Sequence, residues 1–188
     1  MSDKKTQLIE ASIDLFAKEG FWNTPTSRIA KHAGVATGTL FNYFESKDVL
    51  IDEVYLQLKH EWFSYIMEGF PESRAIKESL EHVWFRYIDW SVRNPIRYQL
   101  LQQLKLSDLV SVETQRQQEA EMAQMLTILE DGFIQGLFVD ISVEYFAAIF
   151  QACIEAAVSV AMAQNLKDMT LTKHIAQGFV IFWKGITV

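Results

Sequence analysis

Hydrophobic residues recur at helical spacing along most of this chain. Leu8, Ala11 and Leu15 are separated by three and four residues, and Gly20 stands where a helix would end. The 188 residues include 8 Gly and 3 Pro, too few for the turns that an all-β protein needs every ~8 to 12 residues. The pattern predicts an all-α fold of about nine helices, near residues 4–18, 24–33, 37–44, 46–70, 72–92, 95–104, 107–132, 142–165 and 170–185.

The segment from residue 24 to residue 47 has the pattern of two short helices joined by a tight turn. Thr24 and Pro25 predict the start of the first helix, because threonine caps free N–H groups and proline is tolerated at the first helical position. Gly34 supplies the positive φ that the turn needs, and Val35 and Leu40 are placed to hold the helices together. This arrangement predicts a helix-turn-helix, which binds DNA through its second helix.

The second of these helices carries residue types that suit a DNA-reading surface. It begins with the small residues Thr37, Gly38 and Thr39, which allow a close approach to base edges in the major groove. Tyr43 and Lys47 follow at its far end, where a phenol hydroxyl and an ammonium group can each reach a phosphate. The alternative interpretation is an ordinary three-helix bundle, in which Lys47 is a solvated surface charge.

The first 50 residues resemble the signature of the TetR family of transcriptional regulators. The resemblance lies in three ordered blocks: Ile29-Ala30-x-x-Ala33-Gly34-Val35, Gly38-Thr39-Leu40-Phe41-x-Tyr43-Phe44 and Ser46-Lys47-x-x-Leu50. It implies an N-terminal three-helix DNA-binding domain followed by a larger helical domain with a ligand cavity. It also implies a homodimer, formed mainly by the last two long helices packing as a four-helix bundle.

The resemblance also implies roles for single residues. Thr37 to Thr39 match positions that meet bases or backbone, and Tyr43, Lys47 and Thr26 match phosphate contacts. Phe41 stands where tyrosine is common, so one hydroxyl contact is missing. Ser27 stands where some members have a base-reading arginine, and Arg28 is its neighbour. The expected DNA-binding residues are Thr26, Ser27, Arg28, Thr37, Gly38, Thr39, Asn42, Tyr43 and Lys47.

Charge divides the chain into a neutral head and an acidic body. The net charge is -7, yet residues 1–50 contain six basic and six acidic residues, so all the excess negative charge lies beyond them. We therefore expect a DNA-binding domain over residues 1–47 and a ligand-binding and dimerisation domain over residues 48–188. A neutral head also predicts weak nonspecific affinity, since phosphate binding draws on Lys and Arg.

The body is rich in aromatic residues at helical spacing. They either line a cavity or simply fill the core, and the sequence leaves both open. The run Trp84-x-x-Tyr87-Ile88-x-Trp90 also resembles the TetR branch that senses lipophilic drugs. An aromatic wall suits a small lipophilic effector, and a carboxylate beside it suits a lipophilic cation. Glu155 is the candidate carboxylate, and it is equally interpretable as a polar edge of the dimer interface. The expected ligand-binding residues are Tyr55, Trp84, Tyr87, Phe150 and Glu155.

The last two predicted helices each have one apolar face. One-sided apolar surface on terminal helices predicts a homodimer, with burial inside a single chain as the alternative. The residues of these two faces are Phe146, Phe150, Ile154, Ala157 and Ala161 in the first helix, and Ile175, Phe179, Phe182 and Ile186 in the second.

Other function classes find little support in the sequence. The four His residues are scattered and Cys153 is the single cysteine, so we expect no metal site, no catalytic constellation, no cofactor and no enzyme activity. The polar N-terminus and interrupted apolar stretches predict no export signal and no membrane span, hence a cytoplasmic protein. The favoured function is a repressor released from a palindromic operator by a small ligand. Alternatives are a DNA-binding factor of the same fold without an effector and, from a different class, an all-helical enzyme.

Overall fold

The computed structural model describes residues 3–72, 75–121 and 123–188, and its description does not extend to the side chains of residues 118–126 and 128. The helices in these ranges are α1 (Lys4–Glu19), α2 (Thr26–His32), α3 (Thr37–Tyr43), α4 (Lys47–Met67), α5 (Ile76–Arg93), α6 (Pro95–Lys105), α7 (Val112–Glu121), α8 (Ala123–Ile134), α9 (Val143–Ala163) and α10 (Asp168–Ile186). The described residues contain no strand beyond one antiparallel bridge between Phe138 and Thr187. The all-α prediction is confirmed.

The described chain has ten helices where the sequence predicts nine. The difference lies in the stretch predicted as one helix over residues 107–132, which is described as α7 and α8 because residue 122 between them lies outside the described residues. The first helix of the pair also begins later than predicted, because Ser107 donates to the Leu104 carbonyl and closes a turn there. The Ser111 hydroxyl instead accepts from the Thr114 N–H at the start of α7.

The predicted start of α2 at Thr24 is wrong by two residues. The helix begins at Thr26 with Pro25 at its N-cap. Thr24 is fully buried, and its hydroxyl donates to the Gly20 carbonyl over 2.8 Å. Thr24 therefore lies one residue before the N-cap, and its hydroxyl bonds to the preceding loop instead of capping α2.

The chain divides into two compact units, and the boundary falls inside α4. Unit 1 contains Met1–Glu61 and Ile96–Glu119, and unit 2 contains Trp62–Pro95 and Ala120–Val188. Unit 1 thus joins the predicted DNA-binding head to α6 and most of α7. The functional division into residues 1–47 and 48–188 is a different partition of the chain and stays a prediction.

Unit 1 is built on the apolar faces of its first three helices. Leu8, Ile29, Ala30 and Leu40 have no exposed surface, and each buried leucine or isoleucine stabilises the fold by about 1.5 to 3 kcal/mol. Arg97 of α6 adds polar links, because its guanidinium lies 2.5 Å from the Glu10 carboxylate of α1 and 3.1 Å from that of Glu61 in α4. One side chain therefore ties three helices of this unit together.

Unit 2 has an aromatic core. Trp84 of α5 packs against Phe150, Phe179 and Phe182 with ring centroids 5.5 to 6.0 Å apart. Its indole N–H donates to the Ile175 carbonyl over 3.0 Å. The α5, α9 and α10 helices of this unit thus converge on one tryptophan.

Candidate nucleic-acid interface

The turn between α2 and α3 closes through two backbone hydrogen bonds. Gly34 has a φ of 71°, and its N–H bonds to the Lys31 carbonyl over 3.2 Å. The N–H of Val35 bonds to the Ala30 carbonyl over 2.9 Å. This is a Schellman motif, in which glycine takes the left-handed conformation that other residues adopt with strain. Gly34 and Val35, the turn residues predicted from the sequence, therefore set the orientation of α3 relative to α2.

The α3 helix buries one side and presents the other. Leu40 is fully buried and Phe44, just beyond the helix, is 1% exposed, whereas Tyr43 is 41% exposed. Gly38 and Asn42 are exposed, and Thr37 and Thr39 are half-buried. The short side chains at the start of α3 leave its N-terminal turn accessible to a base edge. All five predicted residues of this helix therefore lie at least partly on its solvent side.

Phe41 shares this exposed side and is 47% exposed. A tyrosine here, as is common in the family, would place a hydroxyl group at the surface. Phe41 lacks this hydroxyl and the polar contact that it could make. What remains is an apolar ring that can meet a thymine methyl group.

Lys47, the predicted phosphate anchor, is bonded within the protein. Its ammonium donates to the Phe21 carbonyl and lies 5.8 Å from the centre of the Phe16 ring. Burial lowers the pKa of Lys47, against a smaller opposing effect from Asp48. The sequence did not reveal this contact, because Phe21 lies 26 residues earlier in the chain.

The predicted phosphate contacts on α2 lie near its first turn. Thr26 is half-buried and Ser27 and Arg28 are exposed. The Arg28 guanidinium forms an ion pair with the Glu19 carboxylate of α1 at 2.6 Å. Arg28 is therefore at the surface, and its guanidinium is already paired with a carboxylate of the same chain.

Two features of unit 1 were not found from the sequence. Trp22, in the loop between α1 and α2, is 83% exposed, although the buried Phe21 and Thr24 hold the loop around it. An open groove also runs between α1 and α2, lined by Leu15, Lys18, Glu19, Ser27, Arg28, Lys31 and His32. The i to i+4 spacing of Ser27 and Lys31 on α2 was the available signal for the groove.

The predicted ligand-binding residues separate into the two units. Tyr55 is buried in unit 1, and Trp84, Tyr87, Phe150 and Glu155 belong to unit 2.

Within unit 2, Gln151 joins two of these residues. Its amide donates to the Tyr87 hydroxyl over 3.1 Å and to the Glu155 carboxylate over 2.6 Å. The carboxylate that the sequence suggested for a cationic ligand is half-buried and already accepts this hydrogen bond.

Trp84 is a core residue of unit 2. It is 1% exposed, and a Cβ added at Gly178 would lie 3.0 Å from its ring. The glycine on α10 therefore makes room for the indole. A ligand in contact with Trp84 has to open this aromatic cluster first.

The two apolar faces predicted to form the dimer are buried inside the chain. Phe146, Ile154 and Ala161 of α9 have no exposed surface, and Ile175 and Phe179 of α10 are each 1% exposed. The prediction that these faces form the dimer interface is wrong, because α9 and α10 pack on each other and on α5 within unit 2.

A different side of these two helices is apolar and exposed. Tyr145 is 57% and Val160 41% exposed on α9, and Val180 is 49% and Ile181 75% exposed on α10. Ala152 and Ala156 of α9 lie between Tyr145 and Val160 and are exposed as well.

Comparison with known proteins agrees with the geometry of the head. Residues 8–54, from α1 into α4, match the family model of bacterial regulatory proteins of the tetR family. A TetR-family transcription regulator from Shewanella sp. PV-4 superposes with a TM-score of 0.86 at 26% identity, and the match covers 100% of both chains. Residues 8–54 therefore match the TetR family, and the chain as a whole has the fold of a TetR-family transcription regulator.

Other transcriptional regulators share the fold over most of its length. The FadR regulator of Bacillus subtilis, solved in complex with stearoyl-CoA, has a TM-score of 0.74 at 21% identity, with 96% of this chain and 98% of that chain covered. The fatty acid metabolism regulator protein of Bacillus subtilis is 31% identical over 77 residues. That alignment covers 41% of this chain and 40% of the relative, so the chain matches less than half the length of this relative.

Among the described residues, no three His, Cys, Asp or Glu side chains are grouped so that they could hold a metal ion. His82 and His174 each contact a backbone carbonyl, that of Ile66 and that of Ala157.

Proposed function

We propose that the protein is a DNA-binding transcriptional repressor that inserts α3 into the major groove of a palindromic operator. The observation that carries this proposal is the Schellman turn at Gly34, which joins α2 to an α3 helix whose polar side is exposed. Two heads of a homodimer would occupy half-sites about one helical turn, or roughly 34 to 36 Å, apart. Since its target is the chromosome, we expect the protein to work in the cytoplasm.

The test of this function is sequence-selective binding to the DNA upstream of the gene that encodes the chain. Tyr43→Phe removes one hydroxyl and Thr39→Val replaces one hydroxyl by a methyl group, so both change chemistry with little change in shape. We expect Tyr43→Phe to weaken binding to all duplexes alike, because phosphate contacts carry no sequence information. We expect Thr39→Val to reduce the preference for the operator over a scrambled duplex, because base-edge contacts specify.

The matched control is Thr172→Val, an exposed threonine on α10. Retention of the upstream fragment no stronger than that of a scrambled fragment would contradict the operator model.

The homodimer is supported by the exposed apolar side of α9 and α10. An 18-residue window of α9 has a mean hydropathy of 1.8, yet only 28% of this window is buried within one chain. By length and composition alone it also passes as a membrane-spanning helix. Exposed Ala152 and Ala156 permit close approach of a second helix, so a second copy of the chain suits this surface. The proposed dimer therefore uses the last two helices through Tyr145, Val160, Val180 and Ile181.

We further propose a small lipophilic effector that binds the body and lowers the affinity for DNA. Support comes from the aromatic core of unit 2, which a lipophilic ligand could enter by opening it, and from the relatives, one named for fatty acid metabolism and one solved with stearoyl-CoA. An effector that prefers a conformation unable to bind DNA shifts operator affinity by the ratio of its affinities for the two states, commonly worth ~1 to 3 kcal/mol.

A ligand panel tests this part separately from DNA binding. Acyl-CoA thioesters, bile acids and lipophilic cations are each added to the full chain, and the melting temperature and operator affinity are measured. A cationic ligand should lose its effect in Glu155→Gln, whereas an acyl-CoA should not, since only the cation gains from the carboxylate. Unchanged operator affinity with every compound, in a protein that binds its operator, would favour a regulator without a small-molecule effector.

A further inference from the structure

We propose that the groove between α1 and α2 binds the phosphodiester backbone of duplex DNA beside the bases read by α3, and that Glu19 limits this binding by holding Arg28. This inference rests on the proposed DNA-binding function and deepens it. None of Lys18, Glu19, Lys31 and His32 was expected from the sequence to take part in DNA binding.

The groove concentrates positive charge in a head whose net charge is zero. Residues 1–50 contain six Lys and Arg, and three of them, Lys18, Arg28 and Lys31, line the groove. Glu19 is the single carboxylate in the lining. Within the part of the chain that the structure describes, neither Lys18 nor Lys31 forms an ion pair, so both ammonium groups are available to a phosphate. The groove is therefore a local cationic site on a surface that is neutral on average.

The position of the groove makes it continuous with the predicted DNA surface. Ile29 and Ala30 are fully buried, which turns the other side of α2, with Ser27, Arg28 and Lys31, outward. Ser27 and Arg28 belong both to the groove and to the predicted contacts. The groove is open along the surface, so a stretch of polymer backbone can lie in it.

The ion pair between Arg28 and Glu19 competes with DNA for the same guanidinium. The Arg28 side chain is 57% exposed and that of Glu19 is 22% exposed, and surface pairs of this kind contribute little, about 0 to 1 kcal/mol. A phosphate oxygen can accept from the same guanidinium as the carboxylate does. DNA therefore displaces Glu19 at low cost, and the carboxylate lowers the affinity for all duplexes.

A second acid lies near the far end of the groove. Asp14 of α1 is 3.7 Å from the His32 ring, and both side chains are exposed. The carboxylates of Asp14 and Glu19 repel anions, and a small anion makes too few contacts to offset this repulsion. A polyanion such as duplex DNA overcomes this repulsion because it meets Lys18, Arg28 and Lys31 together.

The experiment measures the salt dependence of binding by the full chain to its upstream duplex and to a scrambled duplex. Each lost phosphate contact reduces the slope of log affinity against log salt by about 0.9. We expect Lys18→Gln combined with Lys31→Gln to reduce the slope by about 1.8 per protomer on both duplexes. Lys105→Gln, an exposed lysine at the end of α6, is the matched control and should leave the slope unchanged.

The role of Glu19 is tested by a double-mutant cycle. Glu19→Gln should raise the affinity several-fold on both duplexes, and it should have no effect once Arg28→Gln is present. Equal gains with and without Arg28 would show a general charge effect and overturn the proposed competition. If the double lysine variant still selects its operator and its slope is unchanged, the groove does not bind phosphates. If the wild type itself does not select its operator over the scrambled duplex, the proposed function is wrong.

Discussion

The ammonium group of Lys47, at the start of α4, donates a hydrogen bond to the backbone carbonyl of Phe21, in the loop between α1 and α2. Phe21 is itself buried and packs on Phe16 with ring centroids 5.0 Å apart. The lysine thus has two possible partners, the loop in the free protein and a phosphate in the complex. Its lowered pKa reflects the burial that comes with the first.

Lys47→Met separates these two roles, because methionine keeps the apolar stem and removes the charge. We expect operator affinity to fall about 10-fold, as for the loss of one hydrogen bond to a charged group, and the salt slope to fall by about 0.9. Filter binding at several salt concentrations measures both values. A loss of affinity with an unchanged slope would assign Lys47 to loop positioning alone.

Trp84→Ala tests whether the aromatic cluster is a core or a lined cavity. Removing a fully packed tryptophan destabilises a fold by about 3 to 5 kcal/mol, and we expect this loss in the free energy of urea unfolding. Trp22→Ala is the matched control, since Trp22 is 83% exposed and surface changes are usually within about 0.5 kcal/mol. Similar values for both variants would mean that Trp84 is not tightly packed.

Tyr65 gives the fold a dependence on alkaline pH. Its hydroxyl donates to the Asp89 carboxylate, and burial, then this hydrogen bond, raise the pKa of Tyr65 above its usual value near 10.0. The neutral phenol is thus favoured in the folded state. Its stabilising effect is complete below the unfolded pKa and is lost as the pH rises through the folded pKa.

Tyr65→Phe checks this sign, because it keeps the ring that stacks on Arg86, 3.7 Å from the guanidinium carbon to the ring centre. We expect the wild type to be more stable than the variant at about pH 8 and this advantage to be smaller at about pH 11, above the unfolded pKa. Denaturant unfolding at both pH values measures the difference. An advantage that grows with pH would contradict the raised pKa.

Ile181→Asp tests the dimer surface on α10. Ile181 is 75% exposed in the single chain, so a carboxylate there should leave the fold intact and disrupt a self-association that buries this position. We expect a monomer by light scattering at concentrations where the wild type is a dimer. Leu106→Asp, at an 85% exposed leucine of unit 1, is the control.

A monomeric wild type would contradict the homodimer. Recruitment of the wild type to phospholipid vesicles, lost in Ile181→Asp, would point to a lipid surface as the partner instead.

Arg97→Gln tests the link between α6 and the head within unit 1. The guanidinium meets carboxylates of both α1 and α4, and its partial burial makes the pairing stronger than an exposed one. We expect a loss of about 1 to 2 kcal/mol in the free energy of unfolding. Arg116→Gln, an exposed arginine on α7, should change it by less than about 0.5 kcal/mol. Equal effects would show that the Arg97 pairs contribute nothing specific.

The sequence by itself determined the helices, the turn and the outward residues of α3. These features are local: a 3.6-residue period sets the helices, and a glycine able to take a positive φ sets the turn at Gly34. Leu40 and Phe44, four residues apart, are both buried, as the same period predicts for one side of a helix. The prediction that α2 starts at Thr24 was wrong, since Pro25 is the N-cap and the Thr24 hydroxyl bonds to the Gly20 carbonyl in the preceding loop.

Tertiary structure alone decided which apolar face is covered and which charges are occupied. The pattern showed that Phe146 and Phe179 belong to apolar faces, but periodicity cannot say whether a helix of the same chain or of another covers them. Likewise, the sequence supplies Arg28 and Lys47 as cations, whereas their pairing with Glu19 and Phe21 depends on distant segments brought together by packing. Long-range contacts of this kind are fixed by the shape of the whole core, and no local pattern encodes them.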